Sequence, residues 1–210
     1  MSQMLEILQK EKVVAIFRNI EDQYADQAAE ALLAGGITMM EITMNTEGAA
    51  GMISRWRDKY GDQASIGAGT VLDLDMAKEA VAAGSQFLIS PNLDEAVVDY
   101  GLKKGVSVWP GVMTPTEIVR AWKSGAEAVK VFPMGTLGWK YLAEIRAPLD
   151  KIPMMATGGV DLDNIADYFK AGVCAVGMGS KLVNLDWVRS GRFDLLTDKA
   201  RQFAEAAKSL

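Results

Sequence analysis

A chain of 210 residues, half of them hydrophobic and with a formal charge of -5, can enclose one sizeable core. Its charges are scattered rather than gathered into a basic face, which argues against nucleic-acid binding, and a lone cysteine, Cys174, excludes an internal disulfide or a cysteine-built metal cluster. There is no histidine, so any chemistry here must use carboxylates, lysine, hydroxyls and backbone groups.

The first residues, "MSQMLEILQKEK", are amphipathic, and their apolar run is too short for a signal peptide. No run of about 18 apolar residues follows, so no membrane span is expected and the cytoplasm is the expected location. A unit then recurs about every 20 to 25 residues: an Ala-rich helix, a glycine that stops it, and a short β-type run. The stops are Gly36, Gly61, Gly84, Gly105, Gly125 and Gly172, with "APLDKIP" doing the same work near Pro148–Ile152. The strands are predicted at Val13–Arg18, Met39–Met44, Ser65–Val71, Phe87–Pro91, Val106–Pro110, Ala128–Pro133, Pro153–Thr157 and Cys174–Gly177. Eight strands alternating with helices imply a parallel sheet closed into a single (β/α)8 TIM barrel, an α/β fold occupying residues 1–210 as one domain. An open doubly wound sheet is the rival, but it usually has fewer units and a Gly-rich first turn. Residues 1 to 12 are expected to form an extra N-terminal helix at the barrel bottom, and residues 194 to 208 the closing helix.

Barrel chemistry sits at the C-terminal ends of the strands, and the unusual polar residues fall there. They include Arg18; Glu41, Thr43 and Asn45, which alternate on one face; Thr70 in "GAGT"; "SPN"; "PGVMTPTE"; Lys130; "TGG" at Thr157–Gly159; and "GMGS" at Gly177–Ser180. Lys130 stands inside the apolar run "AVKVFP", where a buried ammonium is costly. One reading has its head snorkelling out or paired with Glu41. The other has burial lowering its pKa to supply a neutral amine, the nucleophile of Schiff-base catalysis. Glu41, a carboxylate in an apolar strand, is either the proton shuttle of such a site or an ion-pair partner of Lys130 or Arg18. The glycine runs after strands 7 and 8, with the Ser180 hydroxyl, offer backbone donors for a phosphate. No lysine or arginine lies within "TGGVDLDN" or "GMGS", so that phosphate would be bound mainly by the backbone. Arg18 and Thr70 can hold a carboxylate.

From "VVAIFR" through "MEIT", "IGAGTVL", "ISPN", "PGVMTPTE", "VKVFP" and "TGGV" to "VGMGS", the chain resembles the 2-keto-3-deoxy-phosphogluconate (KDPG) / 4-hydroxy-2-oxoglutarate (KHG) aldolase family, including its 2-keto-3-deoxy-6-phosphogalactonate branch. The resemblance covers nearly the whole chain. It implies a class I aldolase, a carbon–carbon lyase without metal or other cofactor, usually a homotrimer, that releases pyruvate and an aldehyde from a keto acid. It further implies Lys130 as the Schiff-base lysine and Glu41 as the general acid/base. Arg18 and Thr70 become pyruvate-carboxylate contacts, Pro91 and Phe132 substrate-lining residues, and Gly158, Gly159, Gly179 and Ser180 the phosphate cup. Many gluconate-type members carry arginine where this chain has Asn45, whereas members acting on the galactonate epimer carry asparagine, so the epimer stays open. Two other functions fit the barrel: a sugar-phosphate isomerase or epimerase, disfavoured by the lack of histidine, and a non-catalytic sugar-acid-phosphate binding protein, disfavoured by Lys130 and Glu41 together.

Overall fold

The computed structural model describes residues 2–209. Helix α1 (Gln3–Glu11) precedes strand β1 (Val13–Phe17), α2 (Asp22–Ala34), β2 (Met39–Thr43), α3 (Ala49–Tyr60) and β3 (Ser65–Gly69). Then come α4 (Leu74–Ala82), β4 (Phe87–Ile89), α5 (Glu95–Lys104), β5 (Ser107–Trp109), β6 (Gly111–Val112) and α6 (Pro115–Lys123). The chain continues through β7 (Val129–Val131), α7 (Met134–Arg146), β8 (Met154–Thr157), α8 (Ile165–Lys170), β9 (Ala175–Met178), α9 (Leu185–Arg189) and α10 (Phe193–Lys208).

All strand pairs are parallel, in the order β5-β4-β3-β2-β1-β9-β8-β7-β6. The eight expected strands are present, but the fifth, expected to end at Pro110, runs on past it into a ninth short segment, β6. Its first half pairs with β4 and its second half with β7, and the ends of the row join covalently through Pro110. Proline has no N–H to give a ladder, so the strand changes partner at that residue, while its carbonyl still accepts from Lys130 N at 2.9 Å. The six expected stop glycines all have positive φ, between 51° and 100°, the left-handed region that only glycine enters freely.

Two cores result. Outward-facing strand residues and the inner faces of the helices form the larger one, which includes Phe17 of β1 and Met52 and Trp56 of α3. The smaller lies inside the barrel, where Val14, Met39, Phe87, Ile89, Trp109, Ala128, Met155 and Ala175 converge, with Phe87 and Trp109 stacked at 4.8 Å. Leu5 and Leu8 of α1 complete this inner core and seal the end from which the strands start. The α1 N-terminus is fixed by the Ser2 hydroxyl, which accepts from Leu5 N at 3.2 Å. The small residues of β3 make room inside the barrel: a Cβ at Gly67 would meet the Phe87 ring at 2.4 Å. The filled lower half leaves only the C-terminal ends of the strands open.

Candidate functional site

Lys130 sits in the middle of β7, with Gly111 and Met155 as its neighbours across the ladder. It is 3% exposed, so its head does not snorkel to solvent. Its Nζ lies 5.3 Å from the centre of the Phe132 ring. Burial pushes its pKa below the ordinary lysine value; the nearby Glu41 carboxylate pulls it back up and the Arg18 guanidinium lowers it further.

Glu41, on β2, is 1% exposed, and neither carboxylate oxygen has a hydrogen-bond partner among the described residues. No ion pair forms with Lys130 or Arg18. Burial raises its pKa above the usual carboxylate range, opposed by the charges of Lys130 and Arg18. The space for the carboxylate comes from the adjoining strand, because a Cβ at Gly69 would lie 2.4 Å from Glu41 Oε1. The two buried groups are therefore driven towards their neutral forms.

Arg18 follows β1 and is exposed at the mouth. Its Nη2 donates to Thr70 Oγ1 at 3.3 Å and its Nη1 to Asn45 Oδ1 at 3.4 Å. Thr70 has φ of 58°, a conformation that costs a β-branched residue ~1–3 kcal/mol and that is often found at functional sites. The Thr46 hydroxyl braces this corner, accepting from Asn19 N at 3.0 Å and lying 2.9 Å from Thr43 Oγ1.

A cavity of about 370 Å³ opens at the mouth. Arg18, Pro91, Lys130, Phe132, Gly158, Gly159, Gly179 and Ser180, all expected site residues, line it. Glu41 is buried in the barrel, and Thr70 and Asn45 join the site through Arg18. Asn45 itself faces a neighbouring cleft between Asn19 and Gly48. Gly158 and Gly159 have φ of 92° and 70°, and a Cβ at Gly159 would meet Gly135 Cα at 2.4 Å. Among the described residues, the N–H groups of Gly158, Gly159, Gly179 and Ser180 find no acceptor, which leaves a rim of free donors suited to an anion.

One residue on this wall escapes sequence reading, and another shows there only as a polar residue at a strand end. Thr157 is 5% exposed and its hydroxyl has no partner, although it lines the cavity. In the sequence it is one more polar strand-end residue. Lys181 also lines the cavity, its Nζ 3.0 Å from Asp161 Oδ2. The rim is thus not free of cations, contrary to the reading of "GMGS", which stops one residue short of this lysine. Among the described residues, no group of three or more histidine, cysteine, aspartate or glutamate side chains is placed to hold a metal ion.

Residues 4–198 match the family model described as KDPG and KHG aldolase. A 2-dehydro-3-deoxy-phosphogluconate aldolase of Treponema pallidum is 36% identical over 203 residues, covering 95% of each chain. A 2-dehydro-3-deoxy-6-phosphogalactonate aldolase of Escherichia coli is 34% identical, covering 81% of this chain and 83% of that one. The solved structure of a KDPG aldolase from Legionella pneumophila, with pyruvate captured at low pH as a covalent carbinolamine intermediate, superposes with a TM-score of 0.89 at 28% identity, covering 95% of this chain and 97% of that chain.

Proposed function

The chain belongs to the KDPG and KHG aldolase family, and on that premise we propose that it is a class I aldolase in which Lys130 forms the Schiff base. It cleaves a 2-keto-3-deoxy-6-phospho sugar acid, and more slowly 4-hydroxy-2-oxoglutarate, to pyruvate and glyceraldehyde 3-phosphate or glyoxylate. The observation that carries this reading is an almost fully buried lysine, open only to a mouth cavity, beside a buried carboxylate with no partner.

The chemistry follows from that pair. The neutral Lys130 amine adds to the C2 ketone, and loss of water leaves an iminium that withdraws electrons from the C3–C4 bond. Arg18 and Thr70 hold the substrate carboxylate, and Pro91 and Phe132 flank the keto end. Glu41, directly or through a water, accepts the C4 hydroxyl proton. The C3–C4 bond breaks, the aldehyde leaves, and its bonding pair becomes the pyruvate enamine. Protonation at C3 and hydrolysis release pyruvate and restore the amine. The rim at Gly158, Gly159, Gly179 and Ser180 receives the phosphate of the other half.

Asn45 is a shorter, uncharged side chain than the arginine of many gluconate-type members, so we favour the galactonate epimer or relaxed selectivity. The enzyme works as one domain per chain, in the cytoplasm, as a homotrimer. In support, Met113, Trp122 and Trp139 are large apolar side chains left exposed on the single chain, and no described helix is long and apolar enough to cross a membrane. Steady-state pyruvate release from both phosphorylated epimers and from 4-hydroxy-2-oxoglutarate tests the reading. The expected order is phosphorylated acids first; no pyruvate from any of the three would overturn it.

A further inference from the structure

Three basic side chains, Arg18, Lys130 and Lys181, stand among the described residues of the cavity wall. Arg18 is committed to Thr70 and Asn45 at the carboxylate end, and Lys130 is the nucleophile. Only Lys181 remains for the other end, directly after Ser180 and the free N–H groups of the rim. In the resting chain its Nζ is 3.0 Å from Asp161 Oδ2, with the side chain 61% exposed.

Asp161 does not depend on that contact. Its other oxygen, Oδ1, accepts from Leu162 N at 2.8 Å and lies 3.7 Å from Lys199 Nζ. Both lysines hold its carboxyl below the usual range, Lys181 contributing more than Lys199. Removing Lys181 from this group therefore leaves a carboxylate that is still bonded and still beside a cation. The lysine stem is long and flexible, and an exposed ion pair is weak enough to exchange. A phosphate dianion on the rim carries more charge than Asp161 and would be bound by charge-assisted hydrogen bonds.

We propose that Lys181 is a specificity-determining ligand of the substrate phosphate, parked on Asp161 when the site is empty and transferred to the phosphate when substrate binds, while Lys199 keeps Asp161 paired. Asp161 is a positioning residue in this scheme. The inference rests on the reading of the glycine rim as a phosphate site and adds to it a mobile charge that the rim's neutral donors lack. It also gives a reason for preferring phosphorylated substrates: with an unphosphorylated acid, Lys181 stays with Asp161 and contributes nothing.

The test compares kcat/KM for 2-keto-3-deoxy-6-phosphogalactonate and 4-hydroxy-2-oxoglutarate in the wild type, Lys181→Met and Lys181→Arg. Loss of one charge-assisted contact should cut the ratio of the two values ~10–100-fold in Lys181→Met. Lys181→Arg, which keeps the charge and reach, should recover most of it. Borohydride trapping of pyruvate on the Met variant checks that the barrel is folded. A wild-type preference that survives intact in Lys181→Met overturns the role of Lys181 and leaves the glycine rim standing. A wild type with no preference for the phosphorylated acid overturns both.

Discussion

Glu41 is costly as an anion in its site, because it is buried and nothing donates to it. Such a group gains by taking a proton, which is what a general base must do. Glu41→Gln keeps the shape and removes the base, so cleavage should fall by ~10²–10⁴-fold while pyruvate imine formation persists. The same variant has a signed pH consequence. The Glu41 anion raises the Lys130 pKa against the larger lowering by burial. Without it, Lys130 becomes a neutral amine at lower pH, so the acid limb of imine formation should move to lower pH. A normal turnover rate would reduce Glu41 to a structural role, and an unmoved limb would mean that the two groups do not sense each other. Lys130 and Glu41 are legible in the sequence because each places a charge in an apolar strand, where only function or pairing can hold it. Thr157 shows in the sequence only as the first residue of "TGG", without a role of its own, and Lys181 does not show at all. A threonine at a strand end is ordinary, and a lysine in a loop carries no signal until the fold turns it towards a cavity.

At the scale of the element, the helix stops are the most readable feature, because a left-handed residue after a helix needs glycine and the need is local. The break at Pro110 is not local. It depends on β4 and β7 claiming successive halves of one strand, and only the closed barrel brings those partners together. Strand β3 shows the same limit. Its glycines look like ordinary strand glycines in "SIGAG", yet Gly69 is small because the Glu41 carboxylate occupies the space where a Cβ would be. Gly69→Ala, whose backbone the strand accommodates, should leave the fold in place and push the carboxylate aside. A displacement of about 1 Å in a catalytic group can cost about 10²-fold, so kcat for pyruvate release should drop by roughly that factor. Full activity in Gly69→Ala would show that the position of the carboxylate is not critical.

For the whole molecule, the barrel is plugged at one end and opens into a cavity at the other. Leu8 is fully buried in the plug formed by α1 against the inner core. Leu8→Ala should destabilise the protein by ~2–5 kcal/mol in denaturant unfolding, as large-to-small core changes do. The turnover of the folded fraction should not change, since the plug lies at the end away from the mouth. A fall in turnover without loss of stability would contradict that division of labour. The sequence pattern supports this division, since amphipathic residues precede the first strand and polar residues gather at the strand ends. It does not reveal which side chains of α1 enter the barrel, because that depends on the angle at which the helix meets it. Light scattering should give three times the 22.7 kDa chain mass; the mass of a single chain would overturn the trimer.

The Schiff-base role proposed for Lys130 rests on its burial, which favours the neutral amine. Borohydride reduction in the presence of pyruvate, followed by peptide mass mapping, tests it most directly. One reduced pyruvyl group is expected on the peptide that contains Lys130. Label on Lys123 or Lys140 instead, or no label at all, would contradict that role.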